Sequence, residues 1–185
     1  MGLLYFAYGS NMLPARLQAR CSTARVIGTA TAQNFELNFS KLGKDGSGKA
    51  TLVESAIGGT VTPGVLFEIE RIELHHLDQA EGAGYDRHDD FHVTCASTGE
   101  VVVTTTYLAN AIQPELEPFD WYLALVLAGG HHNSLNQDHQ RRLRANSYFI
   151  DSDHSREGRI EALRALSLHN YDDHKSLLRV PREGP

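Results

Sequence analysis

The chain has 185 residues, 41% of them apolar and 22% charged, with a net charge of −6. That suffices for one domain with a real core, and it is too acidic for a broad nucleic-acid surface. No apolar run approaches the roughly 20 residues that cross a bilayer, and Cys21 and Cys95 have neither metal-ligand spacing nor a disulfide framework. The N-terminus lacks a charged n-region and a cleavage site, so no signal peptide is expected, and the cysteine usage points to a cytoplasmic location.

Residues 3–6 read as a strand that stops at Gly9-Ser10-Asn11 in "YFAYGSNM"; Pro14 then opens a short helix in "PARLQAR". A strand–loop–helix corner can aim backbone N–H groups and a helix dipole at an anion. Leu13 stands where a polar cap is expected, which leaves Ser10 or Asn11 to cap the helix. Residues 26–31, 35–40 and 50–54 read as short strands. "KLGKDGSGKA" at 41–50 reads as a polar loop tip, and it lacks the GxxxxGK[ST] phosphate-loop pattern. Residues 58–69 read as strand with a bend, bulge or edge at Pro63-Gly64. A helix is expected over 70–81, and a hairpin pairs the alternating segment around Phe91 and Val93 with "EVVVTTTYLA" across "STGE".

From Pro118 the chain turns helical. "PFDWYLALVLAGGHHN" reads as an apolar helix ending near Gly129-Gly130, "SLNQDHQRRLRA" as a polar helix capped by Ser134, "SREGRIEALRAL" as a third helix, and "VPREGP" as a frayed tail. Strands first and helices late give an α+β class: a small antiparallel or mixed β-barrel with helices packed outside.

Spacing alone leaves the opening corner equally a plain turn, so a functional reading needs a residue from elsewhere. Glu81 in "LDQAEGAGYDR" is the candidate. It ends a helix just before Gly82 and Gly84, where a carboxylate is unfavourable for the helix dipole and so suggests another use. His88, Asp90 and His92 would be the best metal set, sharing one face of a strand, but surface polarity explains them more simply, and no metal or cofactor is expected. Ser10 lacks the G-x-S-x-G context of a nucleophile.

Taken together, "YFAYGSNM", "LDQAEG", "TTYLAN" and "WYLALVLAGGHHNSLNQDHQRRL" resemble the γ-glutamylcyclotransferase family over roughly residues 3–145. The resemblance implies a γ-glutamylcyclotransferase-like domain over 1–150; residues 151–185, beyond the resemblance, read as a C-terminal helical extension and tail, and the late helices either cover the barrel or form a homodimer surface. It implies a small-molecule γ-glutamyl substrate, released as 5-oxoproline and a free amine, with Glu81 as general acid/base. Tyr5, Phe6, Ala7, Tyr8, Gly9, Ser10 and Asn11 would line the substrate site, with Tyr8, Gly9 and Ser10 nearest, joined by Tyr122, Tyr107 and Tyr85. The spacer between Glu81 and Tyr85 is shorter than in some members, which bears on pocket size. YGSN in place of YGSL argues against the glutathione-specific branch.

In this chemistry the substrate carries its own nucleophile, because its α-amine reaches the γ-carbonyl and closes a five-membered ring. One carboxylate can take the ammonium proton and return it to the leaving amine. Backbone N–H groups at Gly9 and Ser10 would hold either the oxyanion or the substrate α-carboxylate, and Gly9 would let backbone approach the ligand. A γ-glutamylamine or isopeptide substrate and a catalytically silent ligand-binding protein are the alternatives.

Overall fold

The computed structural model describes residues 2–178; the tail expected at 180–185 lies outside them. Five strands close a barrel in the order β1 (Gly2–Ala7), β5 (Val61–Glu70), β2 (Arg25–Gln33), β6 (Tyr85–Cys95), β7 (Val101–Ala109). Every pairing is antiparallel except the parallel β1–β7 contact that closes the ring. β3 (Phe35–Leu42) and β4 (Gly48–Glu54) form a separate hairpin. The expected α+β barrel with outer helices is therefore the observed architecture.

β1 is the axis of the core. Tyr5, Phe6 and Ala7 are all buried, and Phe6 stacks on Phe91 with ring centres 6.1 Å apart. β5 runs unbroken through Pro63, and the irregularity lies on its partner β2, between Val26 and Gly28. β1 pairs with β5 only as far as Val65, so one side of β5 is free of a ladder at Pro63, where proline is tolerated. The β6–β7 register shifts between His88 and Phe91. That extra residue puts His88 in phase with Phe91 and turns His92 to the other face, so the expected one-face trio of His88, Asp90 and His92 does not form.

α1 (Pro14–Gln18) starts with proline at its first turn and has no side-chain cap, so neither Ser10 nor Asn11 takes that role. α2 spans Leu74–Glu81 and seats Leu74 and Leu77 in the core. α3 spans Asp120–His132 and is buried from Asp120 through Gly130, as a helix apolar on all sides must be. Gly129 and Gly130 do not end it. A Cβ at Gly129 would stand 2.6 Å from Met12 Cβ and 2.8 Å from the Leu13 backbone nitrogen, so glycine serves close packing against the loop after β1. α4 (Gln137–Arg144) is capped by Asn136, whose side chain accepts from the His139 N–H at 2.7 Å, while Ser134 takes a left-handed backbone instead. α5 (Glu157–Ser167) packs on α3 and α1, and α6 (His174–Leu178) packs on α3.

Candidate active site

Beyond β1 the chain makes one tight 3₁₀ turn over Ser10–Met12, closed by the Met12 N–H donating to the Gly9 carbonyl at 3.0 Å. α3 clamps this turn from behind through Gly129. Asn11 is thereby held 5% exposed with its side chain directed into the barrel end. Its amide donates to the Tyr5 hydroxyl and to Glu81 Oε1, each at 2.9 Å. Arg20 completes a triangle: one guanidinium nitrogen donates to Asn11 Oδ1 and to Glu81 Oε1, both at 2.9 Å.

Glu81 is the last residue of α2, and Gly82, with φ of +67°, turns the chain sharply away after it. The carboxylate thus projects from a fixed helix end into the cleft, its side chain 15% exposed and paired with Arg20. Both donors use Oε1; among the described residues Oε2 accepts no hydrogen bond. One oxygen is anchored while the other is open to a ligand.

Tyrosines form the rest of the wall. Ala50 of β4 clips two of them: its N–H donates to the Tyr122 hydroxyl at 3.1 Å and its carbonyl accepts from the Tyr85 hydroxyl at 2.7 Å. Tyr8 donates to the Tyr107 carbonyl. The Tyr107 hydroxyl donates to Asp78 at 2.7 Å, and its ring meets Tyr5 edge-on. Burial pushes the hydroxyl pKa of Tyr5, Tyr8, Tyr85, Tyr107 and Tyr122 above the usual tyrosine value, with the Glu81 charge adding to it. These groups are neutral hydrogen-bonding walls rather than bases.

The cleft they enclose is about 30 Å³ and brings together Tyr5, Tyr8, Gly9, Ser10, Asn11 and Glu81, with Tyr85, Tyr107 and Tyr122 across from the loop. It shares Ser10, Glu81, Tyr85 and Tyr122 with an outer vestibule of about 390 Å³. Phe6 and Ala7 lie in the barrel core and do not line the cleft. Gly9 has a further reason to lack a side chain: its Cβ would come within 3.0 Å of Ala50 Cβ, so β4 needs that space.

Sequence reasoning missed Arg20, Ala50 and Asp78. Arg20 lies nine positions after Asn11, just past α1, and the helix folds it back over the loop; a basic residue on the same strand–loop–helix unit was the available signal. Asp78 precedes Glu81 by three residues, the spacing that puts two side chains on one helix face. Ala50 acts only through backbone and carries no signal in its side chain.

A closed five-stranded barrel whose opening loop meets a helix-end glutamate is the arrangement that the sequence resemblance implies. The family model described as "AIG2-like family" matches residues 62–143. The chain is 30% identical over 148 residues to a Homo sapiens gamma-glutamylcyclotransferase, covering 77% of each protein. A Bos taurus gamma-glutamylcyclotransferase is 29% identical over 145 residues, covering 76% of each. A solved structure titled gamma-glutamyl cyclotransferase superposes with a TM-score of 0.78 at 25% identity, covering 89% of this chain and 99% of that one. The chain belongs to the γ-glutamylcyclotransferase family.

Proposed function

We propose that this chain converts a γ-glutamyl compound to 5-oxoproline and a free amine, with Glu81 as the general acid/base. The observation that carries the reading is the convergence of Asn11 and Glu81, 70 residues apart, at 2.9 Å inside one cleft. In this reading the substrate α-amine attacks its own γ-carbonyl. The new C–N bond closes the ring, and the old amide C–N bond breaks. Glu81 Oε2 takes a proton from the α-ammonium and gives it to the leaving nitrogen, then takes the second proton from the ring nitrogen and passes it to the departed amine, while Asn11 and Arg20 keep the carboxylate in place. Enclosure favours the folded, ring-closing shape of the substrate. The Gly9–Ser10 turn supplies backbone N–H groups for an oxygen of the substrate.

The test is 5-oxoproline release from γ-glutamyl dipeptides, γ-glutamylamines and glutathione, measured on the wild-type chain and on Glu81→Gln. The expected result is turnover of at least one γ-glutamyl compound, and its loss in a variant that keeps the wild-type circular dichroism spectrum. Wild-type turnover retained in Glu81→Gln removes the residue from the reaction. Ligand binding with no 5-oxoproline from any compound replaces the enzyme with a binding protein.

A further inference from the structure

Lys41 stands in the vestibule as a cation with no ion-pair partner among the described residues. Its ammonium lies 5.1 Å from the centre of the Tyr85 ring. A Cβ at Gly84 would fall 2.6 Å from Lys41 Cε and 2.9 Å from Nζ, so the lysine rests against bare backbone of the same segment that carries Glu81. Four other cations around the vestibule are engaged. Arg16 pairs with Glu161 at 2.7 Å and Arg20 with Glu81 at 2.9 Å. Lys49 pairs with Asp45 at 2.8 Å and Arg156 with Asp151 at 2.6 Å. Among the described residues Lys41 and Lys44 have no ion pair; Lys44 is exposed on the turn, whereas Lys41 is half-buried.

Half-burying an ammonium with no direct acidic partner is unfavourable. Burial accordingly draws the Lys41 pKa down, opposed by the more distant charges of Glu81 and Asp45. An incoming anion would relieve this cost, and the geometry says which part of a ligand could bring one. The inner cleft, at about 30 Å³, is no larger than a water molecule's share of the liquid, and it opens through Ser10, Glu81, Tyr85 and Tyr122 into the vestibule of about 390 Å³. A substrate whose amide reaches Glu81 must therefore direct its departing half past Tyr85 into the vestibule, where Lys41 sits on that ring.

We propose that Lys41 is a specificity-determining residue that binds a carboxylate on the departing amine, so that the chain selects γ-glutamyl amino acids over γ-glutamylamines of the same size. The proposal rests on the reaction assigned above. An amino acid departs with a carboxylate one carbon from its nitrogen, within reach of a cation at the cleft mouth. A plain amine brings nothing for Lys41 to bind.

The experiment compares γ-glutamylalanine with γ-glutamylethylamide, which differ only by that carboxylate. A charge-assisted contact predicts a wild-type kcat/KM ratio of about 10 or more in favour of γ-glutamylalanine. Lys41→Met and Lys41→Gln should each bring the ratio toward one, and Lys41→Arg should restore most of it. A wild-type ratio near one, or a ratio that neither neutral variant moves, overturns the proposal. Calorimetric binding of the same pair to Glu81→Gln, with and without Lys41→Met, reads the preference without turnover. A Lys41-dependent preference in binding, with no 5-oxoproline from the wild type, overturns the reaction and keeps the anion site. Turnover with no preference does the reverse.

Discussion

Two cavities of this molecule each hold an ionisable side chain largely shielded from solvent, and they handle it in opposite ways. In the cleft of about 30 Å³, Glu81 meets a guanidinium and an amide and has one oxygen left open. In the larger cavity of about 530 Å³, where α4 lies over the start of β5, His139 is 4% exposed and its Nε2 has no hydrogen-bond partner among the described residues. Burial there, with the nearby Arg142 charge adding to it, pushes the His139 pKa down to about 4. One cavity compensates a charge with partners, and the other excludes the charge. The smaller space brings polar groups together on one carboxylate, and we place the proposed reaction there on that convergence rather than on volume.

The strongest way to break this contrast is to exchange the two roles. Glu81→Gln should lower 5-oxoproline turnover by about 10²–10⁴-fold with an intact fold, whereas His139→Leu should leave turnover at the wild-type level. Equal losses from both variants, measured as kcat on purified protein, would mean that the two cavities are coupled.

The second test is acid stability. His139 has a lower pKa folded than unfolded, so between about pH 6.5 and 4 the unfolded chain binds the extra proton. Stability attributable to this residue is present above the unfolded value and falls as the pH drops through that window, by about 3 kcal/mol at the bottom of it. Urea midpoints across the window should therefore slope less steeply in His139→Leu than in the wild type. Parallel slopes would show that His139 gains a proton without penalty.

The loop that presents Asn11 depends on α3, and Gly129 tests that dependence. A valine there must displace Met12 and Leu13, since even a Cβ falls 2.6 Å from one and 2.8 Å from the other. Overpacking of this kind costs about 1–3 kcal/mol. Gly129→Val should lower the thermal midpoint and weaken turnover together, because the displaced residues lead straight into the Asn11–Glu81 contact. A lowered midpoint with unchanged turnover would show that the turn keeps its shape without the clamp.

Much of this arrangement was legible in the sequence because it is written in local patterns. The strand ending at "YGSN", the alternation of Phe91 and Val93, and the glutamate before Gly82 each follow from short-range chemistry. So does the α+β class. What local pattern misled on was glycine in α3. Gly129-Gly130 resembles a helix stop, and only the backbone passing beside it shows why a side chain is excluded. The phase of His88 was also hidden, since a one-residue register shift in β6 leaves no mark in composition. Arg20 and Ala50 were missed for a related reason: one acts through a fold-back and the other through its backbone. The segment 41–50, read as a loop tip, supplies the strand ends that bring Ala50 to the cleft and Lys41 to the vestibule.

The finest test concerns Tyr122. Its hydroxyl accepts from the Ala50 N–H at 3.1 Å, so Tyr122→Phe removes both a cleft hydroxyl and the partner of a buried donor. An unpaired buried N–H costs about 1–3 kcal/mol, which should appear as a small fall in the thermal midpoint. Loss of a ground-state contact raises KM with little change in kcat, so a several-fold rise is expected if the hydroxyl also holds substrate. Ala50 carries Tyr85 on its other side, at 2.7 Å, and a shift of β4 would disturb both tyrosines. Tyr85→Phe separates the cases, because it frees the Ala50 carbonyl without touching the Tyr122 hydroxyl. A KM that rises equally in both variants points to movement of β4, and a rise confined to Tyr122→Phe points to direct contact with the substrate.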